Sequence, residues 1–299
     1  MSELPLTAGG IATLACMLEV TAPKPGNVHR GADFEDVTFS DFATSAIVLG
    51  QVIDSSKEQG VGQTILTAVE QTKSMVGVNT NLGIILLLVP LAKIVQANPE
   101  IKITPAIVSE FLSTALDTAD ANSVFQAIRI AKPGGLGEAK EMDVNSNEQA
   151  TDLLQAMRLA ADRDDVARQY TNGYQDIIET GIPLLLRGIE LFKNLSQAIV
   201  FTHVSLMASS ADTLIARKCG AEIAERSRVM ASKAIDAIPG SGNDLLNEEE
   251  QELYWSRVGE LDFWLRSDGH QRNPGTTADL IAAILFVAIQ NQKIQRPFR

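Results

Sequence analysis

The eighteen residues from Glu19 to Asp36 gather four carboxylates and three basic side chains around two prolines. Pro23 and Pro25 stiffen this stretch and Gly26 permits a sharp reversal, so Lys24 is held at a defined place. Lys24, His29 and Arg30 are followed closely by Asp33, Glu35 and Asp36. Cations and carboxylates on one stiff loop suit a polyphosphate with its divalent metal. The plainer reading of the same residues is a solvated turn with local ion pairs.

Four further islands carry polar or glycine-rich chemistry. In Gly77-Val-Asn-Thr-Asn-Leu-Gly83, Asn79, Thr80 or Asn81 can cap the apolar helix that follows and leave backbone N–H groups for an anion. Lys132-Pro-Gly-Gly-Leu-Gly-Glu138 offers Gly134 and Gly135 for close backbone approach to a ligand, with Glu138 behind them. It is neither a P-loop nor a dinucleotide fingerprint, because the strand and spacing are missing. Asp212 and Arg217 lie five apart and so do not share a helix face, but they converge if Asp212 begins a helix. Asn273-Pro-Gly-Thr276-Thr-Ala-Asp279 opens the last apolar run. Asp279 is then either a carboxylate favoured by the helix dipole or a site carboxylate. Of the three histidines, His203 reads as a core residue and His270 as a surface residue, which leaves His29 as the site candidate.

The elements that must position these islands are helices. Ile11, Leu14, Ala15 and Leu18 follow the i, i+3, i+4, i+7 stripe, and Ser40 can cap a helix carrying Phe42, Ala46 and Leu49. Further helices are predicted over 63–75, 81–97 with a kink at Pro90, and 122–131; Thr104-Pro105 starts another. Others follow at 147–161, 174–192, 196–207, 248–265 and 276–290, with a long helix or a pair broken near Gly220 over 211–237. Residues 138–149 and 239–243 read as surface loops. No stretch alternates with a period of two between hairpin turns. The expectation is an all-α single domain over 1–299, with its site in loops at helix ends.

Composition narrows the partners. Lys plus Arg is 25 and Asp plus Glu is 37, so the formal charge is 25 − 37 = −12. That balance argues against nucleic acid or an anionic membrane as partner. The longest apolar run, Leu82 to Ala92, is too short for a bilayer, which needs roughly 20 residues. Two cysteines, Cys16 and Cys219, cannot make a disulfide framework and suit a reducing compartment. With no basic-then-apolar N-terminal segment, a cytoplasmic protein is expected. Self-association into a homo-oligomer is an open option.

Taken in order, the five islands resemble the triphosphoribosyl-dephospho-CoA synthase family: its Pro-Lys-Pro-Gly-x-Val loop, Gly-Val-Asn-Thr-x-x-Gly element, Gly-Gly-x-Gly-Glu loop, Asp-Thr-x-x-x-Arg-x-x-Gly segment, and an ending similar to Asn273-Pro274-Gly275 through Asp279-Leu280. The chain departs from that pattern at Asn27 and His29, and has Asn81-Leu82 where the family carries His-Lys. The resemblance implies transfer of the 5-triphosphoribosyl group of ATP to 3′-dephospho-CoA with release of adenine. It implies Glu19, Asp33, Asp36, Glu138 and Asp279 as catalytic carboxylates. Lys24, Gly26, His29, Arg30, Asn79, Thr80, Gly134, Gly135, Asp212, Arg217, Asn273 and Thr276 would bind substrate. Magnesium would sit on Asp33, Asp36 and Asp279. The alternatives are a related enzyme on another phosphorylated ribosyl or cofactor-precursor substrate, or a non-catalytic helical binding protein.

Overall fold

The computed structural model describes residues 6–134, 152–238, 245–294 and 297–298, and every regular element within them is helical. The first half runs through α1 (Ala8–Thr21), α2 (Phe39–Ser55), α3 (Val61–Val76), α4 (Leu82–Ala97), α5 (Pro105–Ala115) and α6 (Thr118–Ala131). The second half holds α7 (Leu153–Ala160), α8 (Asp165–Asn172), a π-helical turn (Asp176–Gly181), α9 (Ile182–Phe192) and α10 (Leu195–Ser209). It ends with α11 (Thr213–Cys219), α12 (Ala221–Ile235), α13 (Glu248–Arg266) and α14 (Gly275–Gln290).

α14 is the centre of the molecule. Its residues Leu280 to Ala288 are all buried, and it packs against α1, α4 and α10. Each buried Leu, Ile or Phe there contributes about 1.5–3 kcal/mol, so a helix apolar all round is stable only as a core helix. α1 leads through α2 and α3 to α4 and α6 on one side, and α10 links α9 and α12, with α13 packed on α12, on the other. No single described helix is long and apolar enough to cross a membrane. The pair α10 and α11 reaches that length and composition only across a 59° bend.

Several boundaries differ from the sequence expectation. Thr38, not Ser40, caps α2: its hydroxyl accepts from the Asp41 amide while Asp41 accepts from the Thr38 amide. α6 starts earlier than expected, at Thr118, through the same reciprocal cap between Asp117 and Asp120. The expected start of α7 at residue 147 lies outside the described residues, and Asp152 caps the helix that is described. α8 has no sequence forerunner, because its eight residues are mostly polar. The expected helix over 174–192 is interrupted. Pro183 has no N–H to give and would clash with the carbonyl four residues back, and the widened π turn absorbs both problems. The stretch 211–237 is the broken pair: Gly220, at φ +91°, separates α11 from α12.

Candidate active site

The site starts where α1 ends. Glu19, in the last turn of α1, pairs with the Lys24 ammonium at 2.8 Å. The same ammonium donates to the Glu19 carbonyl, and both side chains are buried. An isolated buried charge is too costly, so each is the condition for the other. Gly26 makes the turn beyond Lys24 at φ +74°, where a Cβ would meet Leu265 and Pro274 at 2.8 Å. Its amide donates to Asp262 at 2.8 Å, and Arg266 donates to the Asn27 carbonyl. The loop is thereby fastened to α13.

Two helix N-termini meet opposite Glu19. Asn81 begins α4 without a side-chain cap bond, and Asn79 instead accepts from the Leu82 amide at 3.2 Å. Asp279, in the second turn of α14, lies against Gly83 so closely that a Cβ there would fall on its carboxylate. Asp279 accepts no hydrogen bond and joins no ion pair among the described residues. Its pKa is raised well above the ordinary carboxylate range, first by burial, then by Glu19, Asp212 and Asp164, with Arg217 opposing. Burial likewise raises Glu19, but Lys24 opposes it through both its charge and its hydrogen bond. Both carboxyls are raised by burial, and only Glu19 has a cation beside it to oppose the shift at short range.

The third wall is cationic. Asp164, the cap of α8, holds Arg217 in an ion pair. Lys218 donates to the Asn273 side chain at 3.0 Å and the His270 carbonyl at 3.2 Å. Burial lowers the Lys218 pKa, and Arg217 adds to this, while Asp36 and Asp212 oppose. His270 stacks on Phe34 with ring centroids 4.6 Å apart and contacts Asp36 at 3.1 Å. These walls enclose a cleft of ≈ 690 Å³, whose lining includes Glu19, Gly83, Asp279, Arg217, Lys218 and His270. That volume falls in the usual range for small-molecule sites, about 300–1,000 Å³.

A family model for the ATP:dephospho-CoA triphosphoribosyl transferases (CitG) matches residues 5–298. The chain belongs to this family. No curated protein and no solved structure matches. Family membership makes the chain a transferase that uses ATP, and the reaction is the one the five islands imply: triphosphoribosyl transfer to 3′-dephospho-CoA.

Against that activity, the cleft gathers eight of the expected residues: Glu19, Asn79, Thr80, Gly134, Arg217, Asn273, Thr276 and Asp279. Others are corrected. Lys24 is not free for substrate: its side chain is buried and turned inward onto Glu19. Gly26 is covered by α13. His29 and Arg30 stand outside the lining, where the His29 backbone pairs with Ala32 and its ring accepts the Gly31 amide. Asp33 accepts from the Phe39 amide at 2.6 Å and so serves the start of α2. Asp36 reaches His270 at 3.1 Å.

Asp212 is buried as the cap of α11, bonded to the amides of Leu214, Ile215 and Thr277 and to the Thr277 hydroxyl. It ties α11 to α14 and lies outside the cleft lining. Gly135 and Glu138 lie outside the described residues. Asp33 serves α2, Asp36 reaches His270 and Asp279 stands apart from both in the cleft, and no group of three or more His, Cys, Asp or Glu stands together among the described residues. The expected metal set therefore does not fit a magnesium ion. Sequence reasoning missed Asn27, Asp164, Lys218 and His270 as cleft residues. Three of them sat inside or beside the islands, but Asp164 had only its helix-cap signal.

Proposed function

We propose that Glu19 and Asp279 flank the anomeric carbon of the ATP ribose. In the transfer, the acceptor's 2′-hydroxyl oxygen bonds to that carbon, the bond to adenine breaks, and the hydroxyl proton is balanced by a proton on the departing base. The transition state is oxocarbenium-like. Glu19, whose ionised form the Lys24 ammonium favours against the effect of burial, offers it negative charge. Asp279, whose pKa is raised, is suited to move the proton between hydroxyl and base. Arg217 and Lys218 face the triphosphate, aided by the amides of Gly83 and Ile84 at the uncapped start of α4. Magnesium is expected to travel with ATP on the oxygens of the triphosphate itself, and no step here runs through it.

The observation that carries this reading is Asp279, a cleft carboxylate without a partner among the described residues, next to the Glu19–Lys24 pair. The test is incubation with ATP, magnesium and 3′-dephospho-CoA, with free adenine and the coupled product measured by mass. Adenine and product in equal amounts are expected. ADP as the product would indicate phosphoryl transfer and overturn the reading. Adenine without coupled product would reduce it to hydrolysis.

A further inference from the structure

One wall of the cleft, along α7 and ending before Arg163, is apolar. On α7, Leu153, Ala156, Met157 and Ala160 follow the i, i+3, i+4, i+7 stripe, and all four line the cleft. Leu86 of α4 and Phe125 of α6 line it too. An amphipathic helix normally spends such a stripe on another helix. α7 packs against α6 and α8, with Leu153 and Met157 buried in the core, and the same stripe also lines the cleft. The result is an annex whose side chains offer neither a hydrogen-bond donor nor an acceptor.

We propose that this annex binds the pantetheine arm of the acceptor. The inference rests on the transfer reading above and adds where the acceptor lies. The triphosphate and both riboses need charged or hydroxyl partners, which stand on the other walls. The departing adenine needs a proton, and the annex has no group to give one. The acceptor's diphosphate needs charge, and its own adenine carries ring nitrogens and an amino group whose hydrogen-bond partners the annex lacks; what remains is the arm, whose methylenes, geminal dimethyl group and terminal thiol match an aliphatic wall. Leu159 is 45% exposed and also lines the cleft, so this side opens to water. The arm's two amides keep solvent partners there.

Ala156→Trp places an indole in the annex, and Ala160→Leu fills less of it with an isobutyl group in case the first variant fails to fold. Calorimetric titration with 3′-dephospho-CoA, ADP and ATP reads the outcome. Both variants should lose at least about tenfold in affinity for 3′-dephospho-CoA. Affinity for ADP, which lacks the arm, and for ATP should stay within about twofold. Unchanged binding of 3′-dephospho-CoA in a folded variant overturns the proposal. A loss for ATP and ADP alike also overturns it, because the annex would then hold a base. A wild type that releases no adenine in the assay above defeats the transfer reading instead. The annex fails by itself when the wild type turns over and the variants bind acceptor unchanged.

Discussion

Asp279 in the second turn of α14 and Gly83 in the first turn of α4 meet, with the carboxylate lying in the space a side chain at position 83 would take. Gly83→Ala must therefore displace the carboxylate, since the α4 backbone is anchored in the core. Turnover should fall by about tenfold or more, the equivalent of ~1.4 kcal/mol of barrier. The helical circular dichroism should not change. A variant with wild-type kcat would show that the position of the carboxylate does not matter to the chemistry.

Removing Lys24 should cost folding before it costs binding. The ammonium is fully buried and its charge is met by Glu19. Breaking one side of such a pair typically costs about 3–5 kcal/mol. Urea unfolding of Lys24→Met should show a loss of that order, and the double variant Lys24→Met with Glu19→Gln should recover part of it. Equal stabilities for single and double variants would mean that Glu19 is not the partner that matters.

The cation wall makes a separable prediction. Lys218 is held by Asn273 and the His270 carbonyl rather than by a carboxylate ion pair, so its charge is left for a ligand. A hydrogen bond to a charged group is worth about 1.5–3 kcal/mol. Lys218→Ala should weaken ATP by a corresponding ten- to hundredfold while leaving adenosine nearly untouched. Calorimetry with ATP, tripolyphosphate and adenosine checks it; an equal loss for adenosine would place Lys218 away from the phosphates.

How far these residues were legible in the sequence depends on what decides their orientation. The helices were readable from the stripes and from caps such as Thr104-Pro105, because burial sets a period that local sequence must carry. The glycine-rich and polar islands were readable as cleft walls for the converse reason: Asn79, Arg217 and Asn273 sit in places a core would not tolerate. The direction of Lys24 was not readable. Two prolines fix the backbone, but whether the side chain turns in or out depends on Glu19 lying under it at the end of α1. Asp164 was hidden for a similar reason. Arg163-Asp164-Asp165 looks like any polar turn until α8 brings it beside Arg217. Asp33 and Asp36 were close in sequence to the cations but are claimed by the start of α2 and by His270, contacts that only the folded loop defines.

Asp165 gives a pH dependence with a definite sign. Its carboxyl is pushed up to about 6, first by burial and further by Asp212, Asp164 and Asp176, against Arg168. A carboxyl with a higher pKa folded than unfolded binds its proton more tightly when folded. Its stabilising contribution is whole below the unfolded value of 3.8 and is lost as pH rises through about 6. Asp165→Asn resembles the protonated form at every pH. The melting temperature of the variant relative to wild type should therefore rise between about pH 4.5 and about pH 7.5. An offset that is the same at both values would remove Asp165 as the titrating group.

Asp279→Asn should separate stability from turnover. The carboxylate has no partner among the described residues, and burial together with the charges of Glu19, Asp212 and Asp164 works against its ionised form. An amide of the same shape carries none of that penalty. At neutral pH the Asn variant should melt no lower than wild type, and higher wherever the wild-type group is ionised. If Asp279 moves the proton from hydroxyl to base, the same variant should lose about a hundredfold or more in kcat, the usual size of a general acid–base contribution. ATP affinity should be kept or improved, because a negative charge near the triphosphate is gone. This combination, with stability kept and chemistry lost, is characteristic of a group retained for function at a cost to the fold. A variant that melts lower and turns over normally would instead make Asp279 an ordinary helix-terminus carboxylate, worth about 0.3–1 kcal/mol through the dipole of α14, and would leave Glu19 as the sole carboxylate candidate among the described residues at the anomeric carbon.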